Sequence, residues 1–152
     1  MHVEHLSLTN FRNYARLELS LPVHRPIVLH GENAQGKTSL LEAIYYLATS
    51  RSPYTAETDP IPFARIAGEI CSTGGTFYRV EMTLMLERVG DNGQRFRKIV
   101  RINGVEKRVM DLVGLLNVVL FLPQDLTLIE GAPSDRRRFM DDTLSQVDAD
   151  YL

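Results

Sequence analysis

The eight residues Gly31-Glu32-Asn33-Ala34-Gln35-Gly36-Lys37-Thr38 constrain this chain more than any other stretch. They fit the pattern G-x-x-x-x-G-K-[ST] without a gap, which a random chain of this length would match about once in 200. Ahead of them, Ile27-Val28-Leu29-His30 is a short apolar run that predicts a buried strand. Behind them, Leu40, Leu41, Ile44, Leu47 and Ala48 recur at helical spacing. Strand, glycine loop and helix in that order are the setting in which such a loop cradles phosphate. The glycines let the backbone turn tightly and come close to a ligand. The loop amides and the start of the helix then point at an anion. A lysine at a helix N-terminus opposes the helix dipole, so Lys37 is badly placed unless an anion lies beside it. In this reading Gly31, Glu32, Asn33, Ala34, Gln35, Gly36, Lys37, Thr38 and the following Ser39 surround the phosphates of a nucleotide. Lys37 reaches the β- and γ-phosphates, and the Thr38 hydroxyl binds Mg²⁺.

At 152 residues the chain can build one domain with a substantial core. A formal charge of −2 rules out a globally basic nucleic-acid binder, so any surface for a polyanion must be local. The single cysteine, Cys71, excludes an intramolecular disulfide and fits a reducing compartment. No apolar run is long enough to span a membrane. The N-terminus alternates from its start and lacks a basic-then-apolar signal segment. The expectation is a cytoplasmic protein with no membrane partner.

Two strands precede the loop. Val3, His5, Leu6 and Leu8 begin the first, which ends near Asn10-Phe11. In the second, Arg16 to Leu21, the residues Leu17, Leu19 and Leu21 share one face. Phe11-Arg12-Asn13-Tyr14 links them, and Pro22 to Pro26 is a turn. After the helix, Ser50 to Pro62 is irregular and proline-rich. Strands follow at Ile66–Ser72, Phe77–Glu87, Phe96–Ile102 and Val105–Val109. The turns Gly90-Asp91-Asn92-Gly93 and Asn103-Gly104 join them into an antiparallel meander. Met110 to Leu116 predicts a short helix, and Asn117 to Leu122 a continuous apolar strand stopped by Pro123. A last helix runs from Pro133 or Ser134 to about Gln146, with Phe139, Met140 and Leu144 as its apolar side.

With these pieces in place, the sequence resembles the RecF family, ABC-type ATPases related to SMC proteins. The resemblance rests on the loop 31–38, on Leu8-Thr9-Asn10-Phe11-Arg12-Asn13-Tyr14, on Arg51-Ser52 and on Arg101-Ile102-Asn103-Gly104. It continues through Val119-Leu120-Phe121, Pro123-Gln124-Asp125-Leu126 and Gly131-Ala132-Pro133-Ser134-Asp135-Arg136-Arg137-Arg138-Phe139. After Arg51-Ser52 the chain reads Pro53-Tyr54, where the family pattern has a further basic residue. The resemblance implies an α/β fold: a P-loop NTPase core, the first lobe of an ABC-type ATPase, with an antiparallel β subdomain. Residues 1–152 would form the N-terminal lobe of a longer chain. The remainder would carry a helical arm, a signature motif, a Walker B acidic pair and a switch histidine. It also implies an ATP-dependent DNA-binding protein of recombinational repair and replication, active in DNA damage and the SOS response. Its cofactors would be ATP and Mg²⁺, with ATP held between two copies of the protein. Its partners would be DNA, as duplex or a single/double-strand junction, and a RecR-like mediator. The whole dimer would be a weak ATPase and this lobe alone inactive.

The resemblance further places Arg12 and Asn13 near the bound phosphates, where an Arg–phosphate contact is charge-assisted. It makes Gln124 a Q-loop residue, meeting Mg²⁺ or the attacking water. Asp125 does not read as a Walker B acid, because Pro123-Gln124 separates it from the apolar run. Asp141-Asp142 reads as a solvated helix face. His2, His5, His24 and His30 show no zinc-ligand spacing, and His30 is expected to pack against its strand. The densest basic patch is Arg95-Phe96-Arg97-Lys98-Ile99-Val100-Arg101 with Lys107-Arg108. Alternation puts Arg95, Arg97 and Arg101 on one face, the candidate DNA contacts. Arg136-Arg137-Arg138 is a second cluster. Two other readings compete. One is a self-contained P-loop kinase or small NTPase, which needs a Walker B acid that the chain does not show. The other is a nucleotide-gated binding module without turnover.

Overall fold

A computed structural model describes residues 1–53, 63–89, 93–112, 114–126 and 131–147. The first two strands are β1 (His2–Phe11) and β2 (Tyr14–Ser20), followed by helix α1 (Lys37–Thr49). Strands β3 (Phe63–Cys71), β4 (Phe77–Val89), β5 (Gly93–Ile102) and β6 (Val105–Lys107) come next. Two 3₁₀ turns, Val109–Leu112 and Pro123–Leu126, lead to helix α2 (Pro133–Val147).

The six strands form one sheet in the order β2-β1-β3-β4-β5-β6, every pair antiparallel. Two tight turns fix its register. Phe11 pairs with Tyr14 across Arg12-Asn13, and Ile102 pairs with Val105 across Asn103-Gly104. Asn103 and Gly104 both have positive φ, 52° and 80°, the conformation of the two-residue hairpin turn that Asn-Gly favours. The Gly90–Gly93 turn expected between β4 and β5 falls at residues 90–92, outside the described residues, and the strands on either side pair as that turn requires.

Helix α1 buries Leu40, Ala43, Tyr46, Leu47 and Ala48 against one face of the sheet. Leu6 and Leu8 of β1, Ile66 and Ile70 of β3, Val80 and Met82 of β4, and Val100 of β5 complete the core. Gly68 of β3 permits this approach, because a Cβ there would meet Leu47 Cδ1 at 2.8 Å. Leu112 and Leu116 close one side of the same core.

Three expectations are corrected. Ile27–His30 is not a buried strand: all four residues are exposed, Val28 by 86%, and none is in a ladder. His30 is therefore not packed against a strand. Asn117–Leu122 is likewise not a strand, with Val119 87% and Phe121 73% exposed. Both runs have the composition of buried parallel strands, but a strand exists only where a neighbour completes its hydrogen bonds. Neither run joins a strand ladder among the described residues. The helix expected at Met110–Leu116 is a single 3₁₀ turn at Val109–Leu112, cut short at Gly114, which has φ 83°. Helix α2 forms as expected, yet its apolar residues Phe139, Met140 and Leu144 are exposed.

Candidate phosphate-binding site

The loop 31–36 enters α1 through positive-φ backbone conformations, free for glycine at 31 and 36 and uncommon for alanine at 34. Gly31 has φ 150°, Ala34 64° and Gly36 98°. Gly36 is the N-cap of α1, and no side chain caps the helix. The first amides of α1 thus lack a protein side-chain partner, and no acidic residue stands in the first turn. Such an end favours an anion. The arrangement fits a nucleotide polyphosphate.

The β1–β2 turn clasps this loop. Asn13 Nδ2 donates to the Ala34 carbonyl at 3.3 Å, and the Tyr14 hydroxyl donates to the Gly36 carbonyl at 3.3 Å. A Cβ on Gly36 would lie 2.8 Å from both Asn13 Nδ2 and Tyr14 Cζ. Position 36 therefore needs glycine twice, for its φ and for this contact. A cavity of about 530 Å³ opens here, lined by Arg12, Asn13, Asn33, Ala34, Gln35, Gly36, Lys37, Thr38 and Ser39. Two segments far apart in sequence thus meet at one place. Gly31 and Glu32 join it through Lys37, whose ammonium donates to their carbonyls at 2.8 and 2.6 Å. A phosphate would replace these neutral acceptors with a charged one.

Arg12 is held by a residue that sequence reasoning missed. Glu42 of α1 is only 3% exposed. Arg12 Nη2 donates to its Oε1 at 2.6 Å and Arg12 Nε to its Oε2 at 3.0 Å, a bidentate pair. Ser52 Oγ donates to Oε1 at 2.7 Å. The signal was a carboxylate between Leu40 and Ala43, on the buried side of an amphipathic helix. Arg12, at φ 53° in the turn, thus lines the cavity while its fork is engaged behind it.

Other candidates are placed elsewhere. Gln124 lies in the 3₁₀ turn Pro123–Leu126, and its side chain is outside the described residues. Asp125 closes that turn by accepting from the Leu122 N–H at 2.6 Å. Arg97 and Arg101 project from β5 on the face of the sheet away from α1, and Arg97 pairs with Glu87 at 3.1 Å. The Arg95 side chain is outside the described residues. Arg101 is exposed, and Glu81 and Glu106 are its cross-strand partners. Lys98 turns the other way. It donates to the Ser50 carbonyl at 3.2 Å and lies 5.2 Å from the centre of the Tyr46 ring. Arg136 and Arg137 are exposed in the first turn of α2.

A loop of the form G-x-x-x-x-G-K-T entering an uncapped helix start, packed on a sheet, marks the class of P-loop ATPases. The chain belongs to the AAA domain family, whose model matches residues 5–143. Over its whole length it is 46% identical to the DNA replication and repair protein RecF of Chloroflexus aurantiacus and 40% identical to that of Halalkalibacterium halodurans. It covers 42% and 40% of those proteins, so it spans about two-fifths of the length of the relatives it matches. Among solved structures it is similar to RecF-ATP, the recombination mediator of the RecFOR pathway, with a TM-score of 0.77 at 26% identity, covering 98% of this chain and 39% of that one. The fold also matches an SMC ATPase structure at a TM-score of 0.66 and 16% identity, covering 93% and 99% of the two chains. The RecF resemblance and the P-loop ATPase fold read from the sequence are both borne out. Among the described residues no helix is long and apolar enough to cross a membrane.

Proposed function

We propose that this chain is the nucleotide-binding lobe of a RecF-like ATPase of DNA repair and replication. The observation that carries the reading is the uncapped start of α1 behind Gly36, clasped by Asn13 and Tyr14, in a fold shared with RecF-ATP. ATP binds with its phosphates against Asn33 to Ser39. Lys37 faces the β- and γ-phosphates, and Thr38 holds Mg²⁺ with Gln124 as a further ligand. Held there by Thr38 and Gln124, Mg²⁺ would neutralise charge on the phosphates. Arg12 and Asn13 form the wall from the β1–β2 turn. In the whole protein, ATP holds two copies together. That dimer engages duplex or junction DNA and a RecR-like partner, with Arg95, Arg97 and Arg101 as backbone contacts. It acts inside the cytoplasm, in the response to DNA damage that includes SOS.

Isothermal titration with Mg·ATP tests the site. Lys37→Ala removes the cation and leaves the loop backbone, so most of the affinity should go. An unchanged dissociation constant in that variant would refute the assignment.

One observation favours binding without turnover for this lobe alone. None of the residues lining the cavity carries a carboxylate, and the nearby Glu42 is committed to Arg12 and Ser52. Among the described residues, the cavity lining therefore offers no carboxylate to act as a general base for water.

A further inference from the structure

At the end of β1 remote from the phosphate loop, the outer face of the sheet gathers a second set of reactive side chains. His2 of β1 and Cys71 of β3 are direct cross-strand partners, so their side chains leave the sheet on the same face. Glu4, two residues along, shares that face. The register shifts between Val3 and His5, and an irregularity of this kind re-aims the side chain it carries. The result is a tight cluster. His2 Nε2 lies 3.1 Å from Glu4 Oε1, and the ligand atoms of His2, Glu4 and Cys71 all lie within 4.8 Å of one another. His24 adds a second imidazole from the β2–α1 connection, its ring centre 5.3 Å from that of His2 at 61°. That connection is tied to the same strand, because the Leu21 N–H donates to the Glu4 carbonyl at 2.8 Å. Cys71 is buried beneath the half-exposed His2 and Glu4.

We propose that His2, Glu4 and Cys71, with His24 as fourth ligand, form a structural site for Zn²⁺ or a similar thiophilic divalent cation. The donor set decides the class of ion. One thiolate with two imidazoles and a carboxylate suits zinc and is wrong for Mg²⁺ or Ca²⁺, which take oxygen. The spacing fits as well. Zinc bond lengths in a tetrahedron put ligand atoms about 3.3–3.6 Å apart, close to the His2–Glu4 contact already present. Binding takes the proton from the Cys71 thiol and releases it to solvent, while His2 and His24 bind as neutral imidazoles. The ion would tie together β1, β3 and the chain entering the phosphate loop. At about 3.3 Å per residue the cluster stands roughly 30 Å along β1 from the Arg12 turn, so the site is separate from nucleotide binding. Sequence spacing hides it because its ligands come from three segments.

Cobalt titration of the untagged full chain tests the proposal, Co²⁺ being the spectroscopic probe for zinc. The expected result is tetrahedral d–d absorption with a thiolate-to-cobalt charge-transfer band, both erased by added Zn²⁺. Cys71→Ser should remove the charge-transfer band. Glu4→Gln and His24→Asn lie outside the core, and asparagine tolerates the φ of 57° at position 24. Each should weaken Co²⁺ binding at least tenfold, no less than loss of an outer-shell partner costs. Excess Zn²⁺ should raise the melting temperature of the parent chain by mass action and leave that of Cys71→Ser unmoved. An octahedral cobalt spectrum without charge transfer in the parent chain overturns the site. So does unchanged Co²⁺ affinity in both Glu4→Gln and His24→Asn. ATP affinity should be the same in all of these variants.

Discussion

Arg12 and Glu42 show how a single buried carboxylate can set the geometry of a loop thirty residues away. Burying Glu42 is costly unless its charge is met, and the Arg12 fork and the Ser52 hydroxyl together meet it. The pair links the β1–β2 turn, α1 and the segment after α1 behind the phosphate loop. Removing one partner of a buried pair strands the other charge. Glu42→Ala is therefore expected to destabilise the fold by about 3 kcal/mol, at the low end for such pairs because Arg12 can reach water. Glu42→Gln, which keeps an acceptor for Ser52, should cost less. Urea unfolding of the two variants checks this, and a midpoint for Glu42→Ala equal to that of the parent would show the pair to be a surface contact.

At the scale of the element, α1 has its two ends treated differently. Its N-terminus has no side-chain cap, while its C-terminus is closed by Ser50 in the left-handed conformation, whose N–H donates to the Tyr46 carbonyl. No basic residue lies in the last turn. Lys98 supplies the missing cation from β5, bonded to the Ser50 carbonyl and set over Tyr46. The attractions to the helix dipole and to the ring together make Lys98→Ala cost about 1 kcal/mol, which is about 3 °C in melting temperature for a domain of this size. A melting curve superimposable on the parent's would deny Lys98 this role. Strand β5 therefore does two jobs by alternation. Lys98 and Val100 face the helix, and Arg97 and Arg101 face outward among Glu81, Glu87 and Glu106. For the outward set, replacing Arg95, Arg97 and Arg101 by glutamine should weaken duplex binding by the whole protein for all sequences alike. The salt dependence should flatten by about one slope unit for each arginine that no longer meets a phosphate. If the slope in the triple variant equals the parent's, the outer face of β5 is a solvated surface and DNA is met elsewhere.

For the whole molecule, one contiguous core stands beside two apolar runs that join no strand ladder among the described residues. The core under α1 is complete, with Leu6, Leu8, Ile66, Ile70, Val80 and Met82 fully buried. Ile27–His30 lies outside it and is exposed, just ahead of the phosphate loop; in Asn117–Leu122, just ahead of Gln124, Val119 and Phe121 are exposed. Because the cavity carries no carboxylate, phosphate release from Mg·ATP by this chain alone should be negligible. Turnover near ~1 s⁻¹, the low end for ordinary enzymes, abolished in Lys37→Ala, would instead establish a self-contained NTPase.

The phosphate loop, α1 and the antiparallel meander were legible in the sequence because each is written locally. Gly31 and Gly36 permit the loop, helical spacing marks α1, period-two alternation marks β1 to β5, and Asn103-Gly104 dictates its own turn. The Phe11–Tyr14 segment was legible by its own residues only as a link between two strands, and the family resemblance alone set Arg12 and Asn13 near the phosphates. Its contact with Gly36, and the seat of Arg12 on Glu42, arose when β1 and α1 packed together. The cluster of His2, Glu4, Cys71 and His24 has the same origin, since strand pairing brings residues 2 and 71 opposite each other. Tertiary structure also decided the fate of Ile27–His30 and Asn117–Leu122. Their apolar composition is that of buried strands, but burial and a hydrogen-bond ladder are properties of a neighbour, and composition cannot provide one.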